Sequence, residues 1–289
     1  MTGDARTGDA LLADWSTDLS GRDVPGIEQA RPFIPPETRV YVGFLGREDF
    51  PMRVAAARAA RRCGFVPVPI IAARRLASED ALRGYLTDLA SEAAVTSVMV
   101  VGGDPATPLG PYDDAASVIG TGLLEEHGVA EVSIPAYPGG HPVIPADVLW
   151  SLLTERAATL EARGFRSEVI TQFGFDADEV LAWLVDLRAR GITLPVQVGV
   201  PGPAAARLLV STAAVCGVAV GAEAARAYGL APADPDGTVG PERFLGTLLT
   251  GYDPRVHGDV RLHFNSFAGI TPTAEWIVRW ISASASVTE

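Results

Sequence analysis

The 289-residue chain contains no lysine, because all 23 of its basic residues are arginine. A chain without lysine cannot form a lysine Schiff base or use a P-loop lysine or a lysine general base, so class I aldolase and pyridoxal-phosphate chemistry are excluded. Cysteine is also scarce. Cys63 and Cys216 are too few for a disulfide framework, and each lies near the end of an apolar helical run, where we expect a buried thiol.

Positive charge is in short supply as well, since 35 acidic residues give the chain a formal net charge of −12. Nucleic acids and anionic membranes attract clustered positive charge, so neither is expected as a partner. The first residues, MTGDARTGDALLADW, do not have the basic start and apolar core of a signal peptide. The longest weakly polar run, around 208–225, is interrupted by polar residues and glycines, which favours a buried helix followed by a strand. We therefore expect a cytoplasmic protein.

Several common site signatures are missing. The histidines are His127, His141, His257 and His263. They are scattered and lack HxH or HxxxH spacing, so no metal site is expected. There is no GxSxG nucleophile elbow, and residues 120–122 lack the third glycine of a dinucleotide-binding fingerprint.

Short apolar runs alternate with amphipathic stretches along most of the chain. The predicted strands cover residues 14–19, 39–45, 66–71, 97–101, 131–136, 168–173, 194–199 and 259–264. The predicted helices cover residues 51–63, 78–91, 113–127, 146–163, 177–190, 204–216, 242–252 and 273–282. Eight strand–helix alternations indicate an α/β fold, a single (β/α)8 TIM-type barrel, which typically takes ~250 residues. We expect one domain over residues 1–289, with a loose segment at 1–10.

The carboxyl ends of barrel strands form the active site in this architecture. Polar and aromatic residues cluster after most of the predicted strands: residues 16–22, 102–105, 135–142, 170–176, 197–199 and 263–267. The glycines before Asp104 allow a ligand to approach the backbone, and Gln172 is costly to bury without a hydrogen-bond partner. Each residue also has an ordinary structural explanation, such as a turn-forming Asp104, but several on one rim favour a functional site.

These rim segments resemble the methylenetetrahydrofolate reductase family, β/α barrels that reduce methylenetetrahydrofolate to methyltetrahydrofolate. Residues 170–176, ITQFGFD, are similar to the family pattern ITQFFFD, and residues 136–142, AYPGGHP, are similar to AYPExHP. Residues 103–105 match the end of the family's RGDP, Tyr112 lies where the family carries the tyrosine of its YASDL segment, and residues 263–264 match the HFYTLN strand. The matches keep the family's order across most of the barrel.

The resemblance implies a role in one-carbon metabolism and methionine biosynthesis, with specific site residues. Asp104 corresponds to the carboxylate that stabilises the cationic iminium form of the substrate. Asp18 corresponds to the glutamate that protonates the leaving N10, with Glu48 or Asp49 as alternatives. The implied folate-binding residues are Gln172, Phe175, Gln197 and Phe267. The implied cofactor-binding residues are Gly102, Gly103, Tyr112, Tyr137, His141 and His263.

The same residues disfavour FAD, whose pyrophosphate the family binds through positive partners. Gly102 stands in place of the arginine of RGDP, Gly139 replaces the glutamate of AYPExHP, and the family lysine has no counterpart. Asp113 and Asp114 add negative charge beside Tyr112, which further disfavours a pyrophosphate. We therefore expect direct hydride transfer to the folate from NADH. NADPH remains open, because no ribose-recognising residue can be placed.

Two alternatives stay open. In the first, Arg47 or Arg166 replaces the missing cations and the reductase retains FAD. In the second, catalysis is degraded and the chain is a folate-binding barrel. The aspartate at position 18 favours this second alternative, whereas Asp104 and Gln172 favour catalysis, because a simple binder has little need of a carboxylate opposite an iminium.

Overall fold

The computed structural model describes residues 11–12, 14–43, 48–230 and 236–286. The strands are β1 (Ser16–Leu19), β2 (Arg39–Val42), β3 (Val66–Ala72), β4 (Ser97–Val101), β5 (Glu131–Ala136), β6 (Arg166–Thr171), β7 (Val196–Pro201), β8 (Ala204–Ala205), β9 (Thr238–Val239) and β10 (Val260–Asn265). The α-helices are α1 (Val24–Ala30), α2 (Phe50–Arg62), α3 (Glu79–Ala93), α4 (Ala115–Ile119), α5 (Leu123–Glu126), α6 (Ala146–Ala162), α7 (Ala177–Ala189), α8 (Ala206–Cys216), α9 (Ala222–Tyr228), α10 (Glu242–Gly251), α11 (Pro254–His257) and α12 (Ile270–Ser286). Short 3₁₀ turns cover Arg31–Phe33 and Ala73–Arg75.

Eight of the strands form a closed barrel in the order β1-β10-β7-β6-β5-β4-β3-β2. The barrel pairs with a defined register are parallel, for example β10 with β7 from Val260↔Val196 to Asn265↔Pro201. Strands β8 and β9 form a separate antiparallel pair. The predicted TIM-type barrel is thus confirmed.

The chain divides into two compact units. The first unit takes the described residues of 1–17, 136–154 and 169–289, and the second takes residues 18–135 and 155–168. Each has its own apolar core: Val198 and Leu262 are fully buried in the first unit, and Val98 and Val100 in the second. The expectation of a single domain stays a prediction, and the segment expected to be loose, 1–10, lies outside the described residues.

Local signals set where several helices begin. Asp49 caps α2 by accepting a hydrogen bond from the Met52 N–H at 2.9 Å, and proline follows in the first turn. Ser78 caps α3 in the same way, and Asp176 caps α7. A side-chain oxygen at this position satisfies one of the backbone N–H groups that a helix leaves unpaired. Asp49, one of the alternatives for the acid, therefore has a capping role.

Three expectations from the sequence are wrong. The single helix over 113–127 is two short helices, because Gly122 takes a left-handed φ of +81° between them. No strand follows α8 within the described part of 208–225, since Gly217 ends α8 with a φ of +67° and the alanine-rich run that follows forms α9. Finally, Cys63 is buried as expected, but Cys216 is exposed at the end of α8.

Candidate functional site

Aromatic side chains cluster in the first unit beyond the carboxyl end of β6. The Phe173 ring meets Phe267 edge to face at 4.8 Å between centroids and Phe175 at 6.0 Å. Phe175 in turn meets Tyr228 at 4.9 Å. Phe173, Phe175 and Tyr228 are buried, whereas Phe267 is partly exposed. Edge-to-face contacts of this kind hold rings in fixed orientations, so the cluster presents the partly exposed Phe267 on a rigid support.

Gln172 is the first residue after β6 and is half-buried. Its backbone N–H donates to the Ala136 carbonyl at 2.7 Å, which ties it to the end of β5. Its side-chain Oε1 accepts the Phe173 N–H at 3.1 Å. Because only the oxygen of a carboxamide can accept that bond, the side-chain NH₂ faces the other way. Gln172 therefore offers two oriented hydrogen-bond donors beside the aromatic cluster.

His141 contributes a further neutral donor in the first unit. Its Nδ1 accepts the backbone N–H groups of Val143 at 3.3 Å and Ile144 at 3.2 Å. A nitrogen that accepts carries no proton, so the neutral ring has its proton on Nε2. Burial lowers the pKa of His141, and the Tyr137 ring packs edge to face against it at 5.1 Å. These contacts hold His141 as a neutral imidazole with a defined tautomer.

A carboxylate lies where the family pattern has one, but it comes from another element. A methyl group placed on Gly139 would lie 3.2 Å from Oε2 of Glu179, in the first turn of α7. Burial and the nearby Asp176 raise the pKa of Glu179. Gly139 lacks the acid that the family pattern has at this position, whereas the fold brings Glu179 to the same loop.

Gln197 and His263, both predicted to contact ligand, belong to a buried network with Ser16 on β1. The hydroxyl of Ser16 donates to Gln197 Oε1, and its oxygen lies 2.8 Å from His263 Nδ1. Since the only hydroxyl proton goes to Gln197, Nδ1 of His263 donates to Ser16. The three residues are 2%, 1% and 5% exposed. They form a hydrogen-bonded interior layer, and their contact with a ligand stays a prediction.

In the second unit, two of the three acids predicted as the proton donor to N10, Asp18 and Glu48, occupy different surroundings. Asp18 is half-buried on β1. Glu48 is only 5% exposed, and its carboxylate lies 3.2 Å from the position of a methyl group placed on Gly21, in the loop after β1. The charge of Glu48 also acts on buried Arg53 and Tyr85. Burial raises the pKa of that tyrosine to about 12.

Asp104 forms a bidentate ion pair with Arg75, which lies in the 3₁₀ turn after β3. Arg75 Nε donates to Oδ1 and Nη2 donates to Oδ2, both at 2.6 Å. The Arg75 side chain is 21% exposed and the Asp104 side chain 73% exposed. Arg75 holds the pKa of Asp104 below its usual range. The carboxylate is thus ionised, oriented by two bonds and open to solvent.

The neighbouring Arg74 fixes the loop that carries Asp104. Its guanidinium donates to the carbonyls of Pro105 at 2.7 Å, Ala106 at 2.5 Å and Asp113 at 2.9 Å. Its backbone N–H donates to the Gly102 carbonyl at 2.9 Å, and its own carbonyl accepts the Leu109 N–H at 2.9 Å. One residue therefore makes five hydrogen bonds to the loop.

Gly102 and Gly103 differ in what they require. Gly103 takes a φ of +95°, and a methyl group there would lie 3.3 Å from the Ala72 Cβ at the end of β3. No heavy atom lies within 4 Å of a methyl group placed on Gly102. The first glycine leaves open space at the end of β4, and the second is needed for the turn itself.

The remaining predicted residues contact the protein itself or fall outside the description. Tyr112 is 5% exposed, and burial raises its pKa, with Glu79 of α3 as a second cause. Arg166 pairs with Glu131 at 2.6 Å at the amino end of β6, the end opposite the rim. Arg47 lies outside the described residues. Whether Tyr112 binds a cofactor stays a prediction.

Sequence reasoning missed Arg74, Arg75 and Glu179. The sequence carries a signal for the two arginines, since AARRL follows the β3 run directly, but the predicted rim segments include none from the end of that strand. Glu179 gave no signal, because only the fold brings α7 against the β5 loop.

Within the described residues, no helix combines the length and apolar character needed to cross a membrane. The described residues also contain no group of three or more histidine, cysteine or acidic side chains arranged so that they could hold a metal ion.

No protein-family model matches the chain. Among solved structures, it is similar to an uncharacterized protein from Clostridium thermocellum that binds two copies of 5-methyl-5,6,7,8-tetrahydrofolic acid, with 8% identity over 93% of this chain and 94% of that chain and a TM-score of 0.65. It is also similar to dihydropteroate synthase (FolP) from Thermus thermophilus, with 14% identity over 93% of each chain and a TM-score of 0.46. Identities this low show only the fold, and the second likeness is too weak to show even that. The first is a likeness of fold.

Proposed function

We propose that this barrel binds a reduced folate, with the pterin ring at the first unit's aromatic and glutamine site. The observation that carries the proposal is Gln172, whose oriented NH₂ group lies beside the ring cluster that ends in Phe267. The pyrimidinone half of a reduced pterin is flat and conjugated, with hydrogen-bond acceptors along its edge. A partly exposed aromatic face with fixed amide donors next to it suits such a ring.

Two further features support a pterin over a charged group at this position. His141 is held neutral, so it offers an N–H donor without positive charge. Glu179 brings a carboxylate to the same β5 loop, and a carboxylate accepts hydrogen bonds from amino and ring N–H groups of the kind that a pterin carries. The 5-methyltetrahydrofolate bound by the C. thermocellum protein supports the choice of ligand.

The finer proposal is reduction of methylenetetrahydrofolate by hydride from a nicotinamide nucleotide. The ionised and oriented carboxylate of Asp104 favours it, because a fixed negative charge can stabilise a developing iminium and the family resemblance implies this role for Asp104. Asp18 and the more buried Glu48 are the proposed proton donors to N10. A binder without catalysis has little need of a carboxylate opposite an iminium.

FAD does not fit the loop that the family resemblance assigns to it. Arg74 is committed to three backbone carbonyls, Arg75 to Asp104, and Arg156 lies 3.5 Å from Asp114. Each of these guanidinium groups would have to give up an internal partner to hold a pyrophosphate. We therefore propose no step that uses a flavin.

The binding proposal is tested by isothermal titration of the purified chain with (6S)-5-methyltetrahydrofolate. Gln172→Ala removes both amide donors, and we expect about five- to tenfold weaker binding, the usual value of one net hydrogen bond. Phe267→Ala is expected to weaken binding by a similar factor. Gln29→Ala changes an exposed glutamine on α1 and serves as the matched control. Wild-type binding that is unaffected by either site variant would refute this location.

The catalytic proposal has its own readout. NADH oxidation is followed with 5,10-methylenetetrahydrofolate and no added flavin, alongside an absorbance spectrum of the purified protein. Turnover by a colourless protein would support direct hydride transfer. Tight folate binding without turnover, with or without added FAD, would leave the folate-binding barrel as the function. A flavin absorbance spectrum would contradict our conclusion that the arginines of this loop do not hold the pyrophosphate of FAD.

A further inference from the structure

The loop between β4 and α4 is attached unusually firmly to the end of β3. Arg74 binds the loop at both of its ends and in between, through the Gly102, Pro105, Ala106, Leu109 and Asp113 backbone groups. The loop also approaches residues 72–77 too closely for side chains at two points. A methyl group on Gly110 would clash with the Ala77 carbonyl oxygen, and one on Gly103 would lie 3.3 Å from the Ala72 Cβ. The backbone that carries Asp104 is therefore fixed before any ligand arrives.

Arg75 then fixes the side chain. Its planar guanidinium meets the Asp104 carboxylate through two parallel N–H···O bonds at 2.6 Å, a geometry that sets the direction of the carboxylate as well as its distance. Asp104 remains 73% exposed, so the pair does not bury it. Among the residues that the structure describes, Arg75 is the charged group that lowers the pKa of Asp104.

We propose that Arg75 is a positioning residue for Asp104, and that its bidentate contact holds the carboxylate in one fixed orientation for its proposed role. This inference rests on the proposed function of Asp104. A preorganised charge stabilises a transition state better than one that must rotate into place, because no reorganisation is needed during the reaction. Arg74 holds the loop and Arg75 holds the reactive group, which explains two successive arginines after β3.

A double-variant cycle separates this role from a general structural one. Asp104→Asn is expected to slow turnover of methylenetetrahydrofolate about 100-fold or more, the usual effect of losing one preorganised charge. Arg75→Gln is expected to lower kcat about tenfold with little change in KM. In the Asp104→Asn background, Arg75→Gln should have no further effect, since there is no carboxylate left to position. Arg75→Lys should restore part of kcat, because lysine keeps the charge but not the fork.

A second measurement follows Asp104 itself and does not require activity. The side-chain carbon of Asp104, labelled with ¹³C and assigned with Asp104→Asn, is titrated by NMR in the wild type and in Arg75→Gln. Loss of Arg75 should raise the Asp104 pKa toward the ordinary aspartate range. Arg58→Gln removes an exposed arginine that pairs with Glu92 at 2.6 Å and should leave both kcat and the Asp104 titration unchanged.

The outcomes are distinct. An Asp104 titration unaffected by Arg75→Gln, or effects of the two variants that multiply fully in the double variant, would overturn the positioning role. The positioning role would be supported if the double variant is no slower than Asp104→Asn alone and if Arg75→Gln raises the pKa of Asp104. A wild-type protein that neither binds nor reduces folate would refute the proposed function. The NMR titration would then still decide whether Arg75 holds Asp104, and an unmoved signal would overturn that contact as well.

Discussion

Removal of the Tyr41 hydroxyl tests the polar interior of the second unit. Tyr41 is 1% exposed, and its hydroxyl donates to Glu168 Oε1 at 2.6 Å and lies 3.2 Å from Ser133 Oγ. A hydrogen bond to a charged partner contributes about 1.5–3 kcal/mol. Glu168 keeps the Ser133 hydroxyl at 3.1 Å and Arg39 at 3.8 Å in the variant, so we expect the free energy of unfolding to fall by about 2 kcal/mol in Tyr41→Phe.

Urea unfolding at pH 7 measures this loss. With a slope of about 3 kcal/mol per molar urea, the midpoint should fall by about 0.7 M. Tyr112→Phe is the matched control, because Tyr112 is also buried but its hydroxyl makes no hydrogen bond within the described residues. We expect that variant to change stability by less than about 0.5 kcal/mol. Equal effects of the two variants would refute the assignment of the stabilisation to the Glu168 contact.

The alkaline side gives an independent check on the same residue. Burial, followed by the charge of Glu168, raises the pKa of Tyr41 well above its ordinary value. The unfolded chain releases the phenol proton first, at about pH 10, so the stability tied to this group is present below that pH and is lost as the pH rises further. Tyr41→Phe removes this group, and its stability should therefore decline less steeply above about pH 10 than that of the wild type. Parallel declines would mean that Tyr41 is not held in a raised-pKa environment.

Two further predictions concern the rim. Gly103→Ala forces a side chain into the left-handed region and toward Ala72, so it should lower the free energy of unfolding measured in urea by about 1–2 kcal/mol. Gly102→Ala should be nearly neutral, because no heavy atom lies within 4 Å of the added methyl group. Similar losses of stability in the two variants would contradict the different roles of the two glycines. Burial lowers the pKa of His141, so the stability of its neutral form is present above about pH 6.5 and is lost as the pH falls through the lower folded value. The free energy of unfolding of His141→Phe should therefore fall less between pH 7 and pH 5 than that of the wild type. An equal fall in both proteins would contradict this role of His141.

Most of the barrel could be predicted from the sequence because its strands are short valine- and isoleucine-rich runs, and parallel strands buried on both faces have this composition. Within the described residues, the eight predicted strands match the eight barrel strands apart from a few residues at their ends, whereas the two-residue strands β8 and β9 were not predicted. The predictions failed where a single backbone angle decides the structure. The left-handed Gly122 separates α4 from α5, and the left-handed Gly217 ends α8, where hydrophobic periodicity alone would continue a helix.

Small errors at strand ends had larger consequences for the site. The predicted seventh strand ends at Gly199, but β7 continues to Pro201, which moves Gln197 away from the rim and into the barrel interior. The sixth strand errs in the opposite direction: β6 ends at Thr171, so Gln172 and Phe173 lie in the following loop. A parallel strand rises about 3.3 Å per residue. An error of two residues in the end of a strand is therefore enough to move a side chain from the rim, where it can meet a ligand, to the interior, where it meets a neighbouring strand.

Motif comparison predicts which residue stands at a strand end, but not which partner another strand brings to it. By the motif alone, Gly102 marks the loss of a cation beside Asp104. The fold places Arg75 there instead, from the end of β3, in direct contact with the carboxylate. Arg75 is bound to Asp104 through both carboxylate oxygens, and so does not take the place of the phosphate partner that the family pattern has at position 102. The change therefore does more than remove and replace one charge. It places the positive charge where it orients an acidic side chain, and the role proposed above for Asp104 uses this arrangement.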